Sequence, residues 1–323
     1  MQTDRQPARH RFSVRRLLMA AVIAVVFLAG AGTPVRADEF AFADGERIVL
    51  IGNTLADRMQ HFGWLEARLQ LAQPGRQLTQ RNMGWSADEV GLMPRPLEFG
   101  SLESHLARQK ADTILLCFGA NESFAGAAGL DRFKTDLAAL VRRLQAEKFN
   151  GKTAPRLVLV SPIAHEQLGK PWPDAAPRNV ELERYTAAMR DSAAALGIAF
   201  IDLFHPTRTL MAENPREPMT INGMHLTEAG YRAVTEILAL GLGISDPLPS
   251  DAAGLDKLRG LIVEKNRQFM LRWRPVNAEY VFGRRKEPFG VLSFPPEMEL
   301  LDRQIADLDK QIWAAASTLS KKP

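Results

Sequence analysis

The sequence RIVLIGNT, residues 47–54, decides the fold class of this chain because it joins an apolar strand to a glycine and then to a hydroxyl residue. An amphipathic helical pattern begins directly after it. Loops that leave the carboxyl ends of parallel strands open onto the ligand-binding edge of a doubly wound sheet. The stretch therefore predicts an α/β domain with Thr54 at that edge.

Apolar runs of strand length alternate with helical patterns along the middle of the chain. The predicted strands cover residues 47–51, 77–82, 112–118, 156–161 and 198–203. The predicted helices cover residues 55–71, 102–110, 130–147, 180–196 and 227–240, with Thr227 as a candidate N-cap. Near-continuous Val, Ile and Leu in the strands favours a parallel sheet covered on both faces. The fold class predicted is α/β, a doubly wound, flavodoxin-like parallel sheet with right-handed crossovers.

The first 37 residues have the pattern of an export signal. Several arginines precede an apolar run over residues 17–31, and small residues around Ala37 offer a cleavage site. The apolar run is short for a membrane span, which needs about 20 residues. We therefore expect a signal peptide over residues 1–37, an exported protein that is periplasmic or extracellular, and no membrane span in the mature chain. An uncleaved N-terminal anchor is the alternative.

The basic character of the whole chain comes from this segment. The chain has 41 basic and 37 acidic residues, and residues 1–37 hold six Arg and one Asp. The remaining 35 basic and 36 acidic residues give a net charge of −1. The charge therefore offers no support for a nucleic-acid partner.

The only cysteine, Cys117, lies inside an apolar strand pattern. It has no partner for an internal disulfide, and a catalytic thiolate needs an accessible, electropositive setting. A buried strand residue is therefore the favoured interpretation.

A helical appendage is predicted after the main domain. We place the main domain at residues 38–242, a Pro- and Ser-containing linker at 243–254 and the appendage at 255–323. In the last helix, Leu301, Ile305, Leu308 and Ile312 repeat with coiled-coil spacing. This stripe predicts docking on the main domain or pairing in a homodimer. Aromatic and Arg residues interleave over residues 269–289, which suits either packing or stacking on a glycan.

Four short segments carry the chemistry: residues 52–54, 82–86, 118–122 and 222–225. In that order they resemble the blocks of the SGNH (GDSL-type) hydrolase family. The resemblance implies that Thr54 occupies the nucleophile position and that His225 is the general base. It also implies an oxyanion hole formed by the N–H of Thr54, the N–H of Gly84 and the side-chain amide of Asn121. No cofactor or metal is implied.

The chain departs from the family pattern at two catalytic positions. The family's Ser is Thr54, whose β-methyl group restricts the side-chain torsion. The family's Asp, three residues before the His, is Asn222, which can orient His225 but supplies no counter-charge. The equivalent Asp-to-Asn change in a serine protease costs about 10⁴ in turnover. We expect Thr54 Oγ1 to lie within hydrogen-bond reach of a His225 ring nitrogen, or nearly so in an empty cleft.

The expected function is hydrolysis of an acylated carbohydrate or similar ester through an acyl-enzyme on Thr54. The alternative is a catalytically silent scaffold that binds glycans or a partner protein. A third possibility, a zinc hydrolase, arises because His165, His205 and His225 all follow the ends of predicted strands or precede the last helix of the domain.

Overall fold

The computed structural model describes residues 40–321. The predicted signal peptide and its cleavage site lie outside the described residues, as does the alternative N-terminal anchor. Within residues 40–321, no helix is both long enough and apolar enough to span a membrane.

Five parallel strands form one sheet in the order β2-β1-β3-β4-β5. They are β1 (Arg47–Gly52), β2 (Thr79–Asn82), β3 (Thr113–Cys117), β4 (Arg156–Val160) and β5 (Ala199–Ile201). The strand order reverses between β1 and β3, and in open α/β sheets that switch point opens a crevice at the carboxyl edge. The predicted doubly wound parallel sheet is confirmed.

Helices cover both faces of the sheet. In chain order they are α1 (Thr54–Met59), α2 (Trp64–Ala72), α3 (Leu102–Gln109), α4 (Gly126–Gln145), α5 (Ala176–Leu196), α6 (Phe204–Glu213) and α7 (Glu228–Gly241). A 3₁₀ turn, Glu122–Ala125, precedes α4. The Thr227 side chain caps α7 by accepting from the N–H of Gly230, as predicted.

Two helices differ from the sequence prediction. The single helix expected over residues 55–71 is split into α1 and α2 because Gly63 adopts a left-handed conformation, with φ of 66°. Helix α6 was not predicted, and its first turn contains Pro206, where the missing N–H removes no helical hydrogen bond.

The last part of the chain forms α8 (Ala252–Trp273), α9 (Ala278–Val281), an irregular turn (Lys286–Gly290) and α10 (Val291–Ser320). Helix α8 contacts β2 and α2, and α10 contacts α8 and α2. The appendage therefore covers the β2 edge of the sheet.

Alternate residues of β1 face two apolar layers. Ile48 and Leu50 belong to one layer, and Val49 and Ile51 to the other. The appendage contributes to both layers through Ile262, Ile312, Phe269, Trp273 and Ile305. Burial of Cys117 in the sheet raises the pKa of its thiol to about 12, which agrees with a structural role.

The apolar stripe of α10 is buried against its own chain at Ile305, Leu308 and Ile312. A fully buried ion pair lies beside it, because Lys265 Nζ of α8 donates to Glu66 Oε2 at 2.5 Å and to the Gln80 carbonyl at 2.9 Å. The appendage thus docks on the α/β layers through both apolar and charged groups.

Candidate active site

The loop after β1 and the loop after β2 meet tightly. Asn82 Nδ2 donates to the Ala56 carbonyl at 2.6 Å, and the Trp85 N–H donates to the Gly52 carbonyl at 2.8 Å. A Cβ placed on Gly84 would lie 2.4 Å from the backbone N of Asp57, so only glycine permits this approach.

The loop after β3 joins the same edge. The Asn53 N–H donates to the Cys117 carbonyl at 3.1 Å, which links this loop to β1. Asn121 Nδ2 donates to the Asp88 carbonyl at 3.2 Å, which links it to the loop after β2. The fourth segment is tied in through α7, because the Tyr231 hydroxyl donates to the Leu55 carbonyl at 3.0 Å. The structure thus gathers the four segments at the carboxyl edge of the sheet.

Thr54 is the first residue of α1 and is half-buried. The preceding residue, Asn53, caps the helix by accepting from the Leu55 N–H at 3.3 Å. Neither the N–H nor the Oγ1 of Thr54 makes a hydrogen bond to any residue in the 40–321 range. Both groups are therefore available to a substrate, and the expected hydrogen bond between Thr54 Oγ1 and His225 is not formed.

His225 is oriented by Asn222. The ring Nδ1 lies 3.0 Å from Asn222 Oδ1 and 2.8 Å from Asn222 Nδ2, and Oδ1 also accepts the N–H groups of Met224 and His225. A carboxylate here could only accept and would fix the proton on Nδ1. The amide can donate to Nδ1 or accept from it, so it fixes the ring plane but not the tautomer.

The pKa of His225 is lowered from its ordinary value, first by burial and then by the positive charge of Arg58. The imidazole is therefore neutral at neutral pH. A neutral ring is the form that can accept a proton from a hydroxyl.

The oxyanion donors are only partly free. The N–H of Gly84, a predicted donor, already donates to Asn82 Oδ1 at 2.9 Å in this conformation. The sequence prediction missed this contact because it assigned no role to the Asn82 side chain. Asn121 uses one amide hydrogen on Asp88 and retains the other, and its side chain does not cap the following 3₁₀ turn. The free donors are therefore the Thr54 N–H and one hydrogen of Asn121 Nδ2.

Three carboxylates near the site are already engaged. Asp57 accepts from the hydroxyl of Ser86 at 2.6 Å and pairs with Arg274 of the appendage at 3.2 Å. Asp88 pairs with Arg95 at 2.6 Å. A third, Glu122, was not identified as functional from the sequence: it accepts the Val90 and Gly119 N–H groups at 2.9 and 2.8 Å.

Burial raises the pKa of Glu122 to about 7. Glu122 thus clamps the loops after β2 and β3 together, and its charge changes near neutral pH.

The three histidines considered for zinc do not converge. The ring of His165 lies against Gly223, whereas His205 Nδ1 is 2.6 Å from Asp202 Oδ2. In the part of the chain that the structure describes, no group of three or more His, Cys, Asp or Glu side chains could hold a metal ion. The zinc alternative therefore has no structural support.

Some aromatic residues of the appendage are buried, and others are exposed to solvent. Phe269 and Trp273 are buried and stacked on each other, which favours the packing interpretation, whereas Phe289 is exposed. Trp85, next to Gly84, has the guanidinium groups of Arg95 and Arg274 at 4.3 and 4.8 Å from its ring centre. The appendage thus reaches the rim of the site.

A cavity of about 530 Å³ lies beside this rim, and Met83, Phe99, His105 and Trp273 are among its lining residues. Thr54, Asn121 and His225 do not line it. The cavity is therefore separate from the candidate catalytic groups.

Comparisons with known proteins agree with this arrangement. The GDSL-like lipase/acylhydrolase family matches residues 52–233, more than half of the chain. Among solved structures, a gut microbial diltiazem-metabolizing enzyme is similar, with 13% identity and a TM-score of 0.57 over 85% of this chain and 96% of that one. A catalytic mutant of an acetylxylan esterase from Geobacillus stearothermophilus shares 16% identity, with a TM-score of 0.50 over 63% of this chain and 97% of that one.

At these identities the solved structures show the fold alone. A search of curated proteins finds no match. The family match spans the loops that carry Thr54, Gly84, Asn121 and His225, and the chain therefore belongs to the GDSL-like lipase/acylhydrolase family.

Proposed function

We propose that this protein is an exported ester hydrolase that acts on an acylated carbohydrate or similar ester through Thr54 and His225. The observation that carries the proposal is the free hydroxyl and free N–H of Thr54 at the start of α1, at the edge that also holds the neutral imidazole of His225. Family membership supports acyl transfer, and the acetylxylan esterase among the similar structures supports a carbohydrate ester.

In the proposed mechanism, Thr54 Oγ1 attacks the ester carbonyl carbon while His225 Nε2 takes the hydroxyl proton. The negative oxygen of the tetrahedral intermediate accepts from the Thr54 N–H and from Asn121 Nδ2. The carbon–oxygen bond to the alcohol breaks, the alcohol leaves with the proton from His225, and the acyl group stays on Thr54. Water then attacks this ester with His225 as base, releasing the acid and restoring Thr54.

Three features predict slow turnover. The β-methyl group of Thr54 restricts the rotation that aligns its oxygen. Asn222 supplies no charge to stabilise the imidazolium. Each oxyanion donor in an acyl-transfer enzyme contributes about 3–4 kcal/mol, so the engagement of the Gly84 N–H would lower the rate further if it persists with substrate bound.

The same features favour the second candidate, a catalytically silent scaffold that binds glycans or a partner protein. The engaged N–H of Gly84 is the specific observation in its favour. This alternative predicts binding of sugar esters without their hydrolysis.

Hydrolysis of p-nitrophenyl acetate and of acetylated xylo-oligosaccharides separates the two candidates. We expect Thr54→Ala and His225→Ala to lose the activity, while Thr135→Ala, on the exposed face of α4, keeps it. Thr54→Ser should raise kcat because it removes the methyl group. If the wild type and both alanine variants at the site release acid equally slowly, the hydrolase proposal fails and calorimetric binding of the same sugars tests the scaffold.

Export and oligomeric state are separate parts of the proposal. N-terminal sequencing of the mature protein from the periplasm or medium should begin near Asp38. Light scattering tests a homodimer through the C-terminal helix, which would have to use faces of α10 other than its buried stripe.

A further inference from the structure

Two half-buried arginines flank the candidate site without an ion pair in the described part of the chain. Arg58 lies one turn after Thr54 on α1, and its positive charge contributes to the lowered pKa of His225. Arg178, in the first turn of α5, donates through Nη2 to the Ala120 carbonyl at 2.6 Å and to Ser123 Oγ at 2.7 Å. Ala120 directly precedes the oxyanion residue Asn121, so the two cations stand on two sides of the site.

Both guanidinium groups are incompletely satisfied. The Nε atoms of Arg58 and Arg178 are buried and make no hydrogen bond, and Nη1 of Arg178 makes none within the described range either. The ring of Phe124 lies 3.7 Å from the Arg178 guanidinium carbon and partly compensates its charge. A buried cation without a carboxylate is unfavourable, and an anionic ligand would relieve that cost.

Among the described residues, three acids around the site are already engaged, and Glu181, whose charge acts on Arg178, is paired with Arg184. Asn53 and Asn222, the polar residues beside Thr54 and His225, are amides. Asp57 and Asp88 are already paired with Arg274 and Arg95. The third nearby acid, the buried Glu122, is held by two backbone N–H groups. None of these acids forms an ion pair with Arg58 or Arg178 in the described part of the chain.

We propose that the natural substrate carries a carboxylate, as in an acylated uronic acid, and that Arg58 and Arg178 bind it. This inference rests on the proposed ester hydrolysis. Arg178 Nη1 has two N–H donors for a carboxylate, and Arg58 adds an attractive charge beside the nucleophile. Charge-assisted hydrogen bonds of this kind are stronger than neutral ones and discriminate charged from neutral substrates.

The test compares two esters that differ only in charge. Acetate release is measured from a monoacetylated methyl glucuronoside and from the methyl glucoside acetylated at the same position. We expect kcat/KM for the uronate to exceed that for the glucoside by about tenfold or more, mostly through KM, and to fall with added salt. The measurements are made at pH 8, where His225 is neutral in every variant.

Substitutions assign the preference to the arginines. Arg58→Gln and Arg178→Gln should each raise KM for the uronate about tenfold. Arg178→Gln should change kcat/KM for the glucoside less than threefold, whereas Arg178→Lys should keep most of the preference. Arg190→Gln, on the same helix but exposed and paired with its neighbour Asp191, is the matched control. If Arg178→Gln lowers activity on both sugars equally, its role is to brace the 119–124 loop and the inference is overturned.

The outcomes separate this inference from the function on which it rests. Equal hydrolysis of both sugars would overturn the carboxylate site and leave the hydrolase proposal intact. If neither sugar is hydrolysed, calorimetric binding of unacetylated methyl glucuronoside decides: binding by the wild type that both Gln variants lose supports the site, and absence of binding overturns it. Melting curves confirm that each variant is folded.

Discussion

Replacing Asn222 by Asp most directly tests whether the missing carboxylate beside His225 limits its action as a base. The two side chains have nearly the same shape, and the N–H groups of Met224 and His225 need only an acceptor, so the local turn is kept. One carboxylate oxygen would replace Asn222 Nδ2, which is 2.8 Å from the ring Nδ1. Because a carboxylate only accepts, the proton is held on Nδ1 and Nε2 is left as the base.

The size of the expected rise in kcat/KM follows from the distance between the new carboxylate and the imidazole and from the partial exposure of the ring. A carboxylate at about 3 Å from a half-buried imidazole raises its pKa by about 1 unit, which is about 1.4 kcal/mol in favour of the imidazolium. The reverse substitution in a serine protease changes turnover by about 10⁴, which is an upper limit here because the methyl group of Thr54 remains. We expect kcat/KM to rise by between about 10-fold and 10³-fold.

The assay is the pH profile of kcat/KM on p-nitrophenyl acetate. The Asn222→Asp variant should show a higher plateau of kcat/KM. Its acidic inflection should also move to higher pH, because the new carboxylate raises the pKa of an imidazole that lies below its ordinary value in the wild type. Asn277→Asp, which adds the same charge at an exposed site, is the control. A folded Asn222→Asp protein with an unchanged plateau would refute the tautomer argument.

Three further predictions concern stability. Lys265→Met leaves Glu66 buried without its partner and should lower the free energy of unfolding in urea by about 3–5 kcal/mol, while adding Glu66→Leu should recover most of the loss. Gly84→Ala places a Cβ 2.4 Å from the backbone of α1 and should cost about 1–3 kcal/mol or more in thermal unfolding, whereas Gly75→Ala, with no atom within 4 Å, should not destabilise. The pKa of Glu122 is raised from 4.5 to about 7 in the folded protein, so the unfolded state releases this proton at lower pH than the folded state. The free energy of unfolding should therefore fall as pH rises from 4.5 to 7, by at most about 3 kcal/mol, and should not change further above that range. Urea titrations should show this slope flattened in Glu122→Gln, and an identical slope in the variant would contradict the assignment.

The strands were predictable because their signal is local. Each predicted strand overlaps the observed one. In β1, β3 and β4 the signal is a continuous run of Val, Ile and Leu, which has few other stable structures between breakers. The helix over residues 55–71 was predicted as continuous because its apolar pattern continues through Gly63, whereas the left-handed conformation of that residue places Ile262 of α8 3.1 Å from its Cβ position. Gly63 therefore packs against a helix that lies about two hundred residues later in the chain, and no local pattern contains that contact.

In the candidate site, too, some features were predictable from the sequence and others were not. The positions of Thr54, Asn121, Asn222 and His225 at one edge follow from their places after strands and before α7, and parallel topology brings those places together. The hydrogen bond from the Gly84 N–H to Asn82 Oδ1 was not predictable, because a short amide side chain can accept from any of several nearby backbone N–H groups. Nor did the sequence show that Arg58 and Arg178 form no ion pair within residues 40–321, since acids are frequent along the chain.

The sequence by itself determined the parallel α/β architecture, the order of the four site segments and the two departures from the family's catalytic residues. Those features are set by backbone preference, by burial of apolar faces and by the identity of single residues. Only the tertiary structure decided which donors are free, which charges are paired and where the appendage docks. Hydrogen bonds and ion pairs form between groups far apart in the chain, and their strength depends on distances and burial that no local pattern contains.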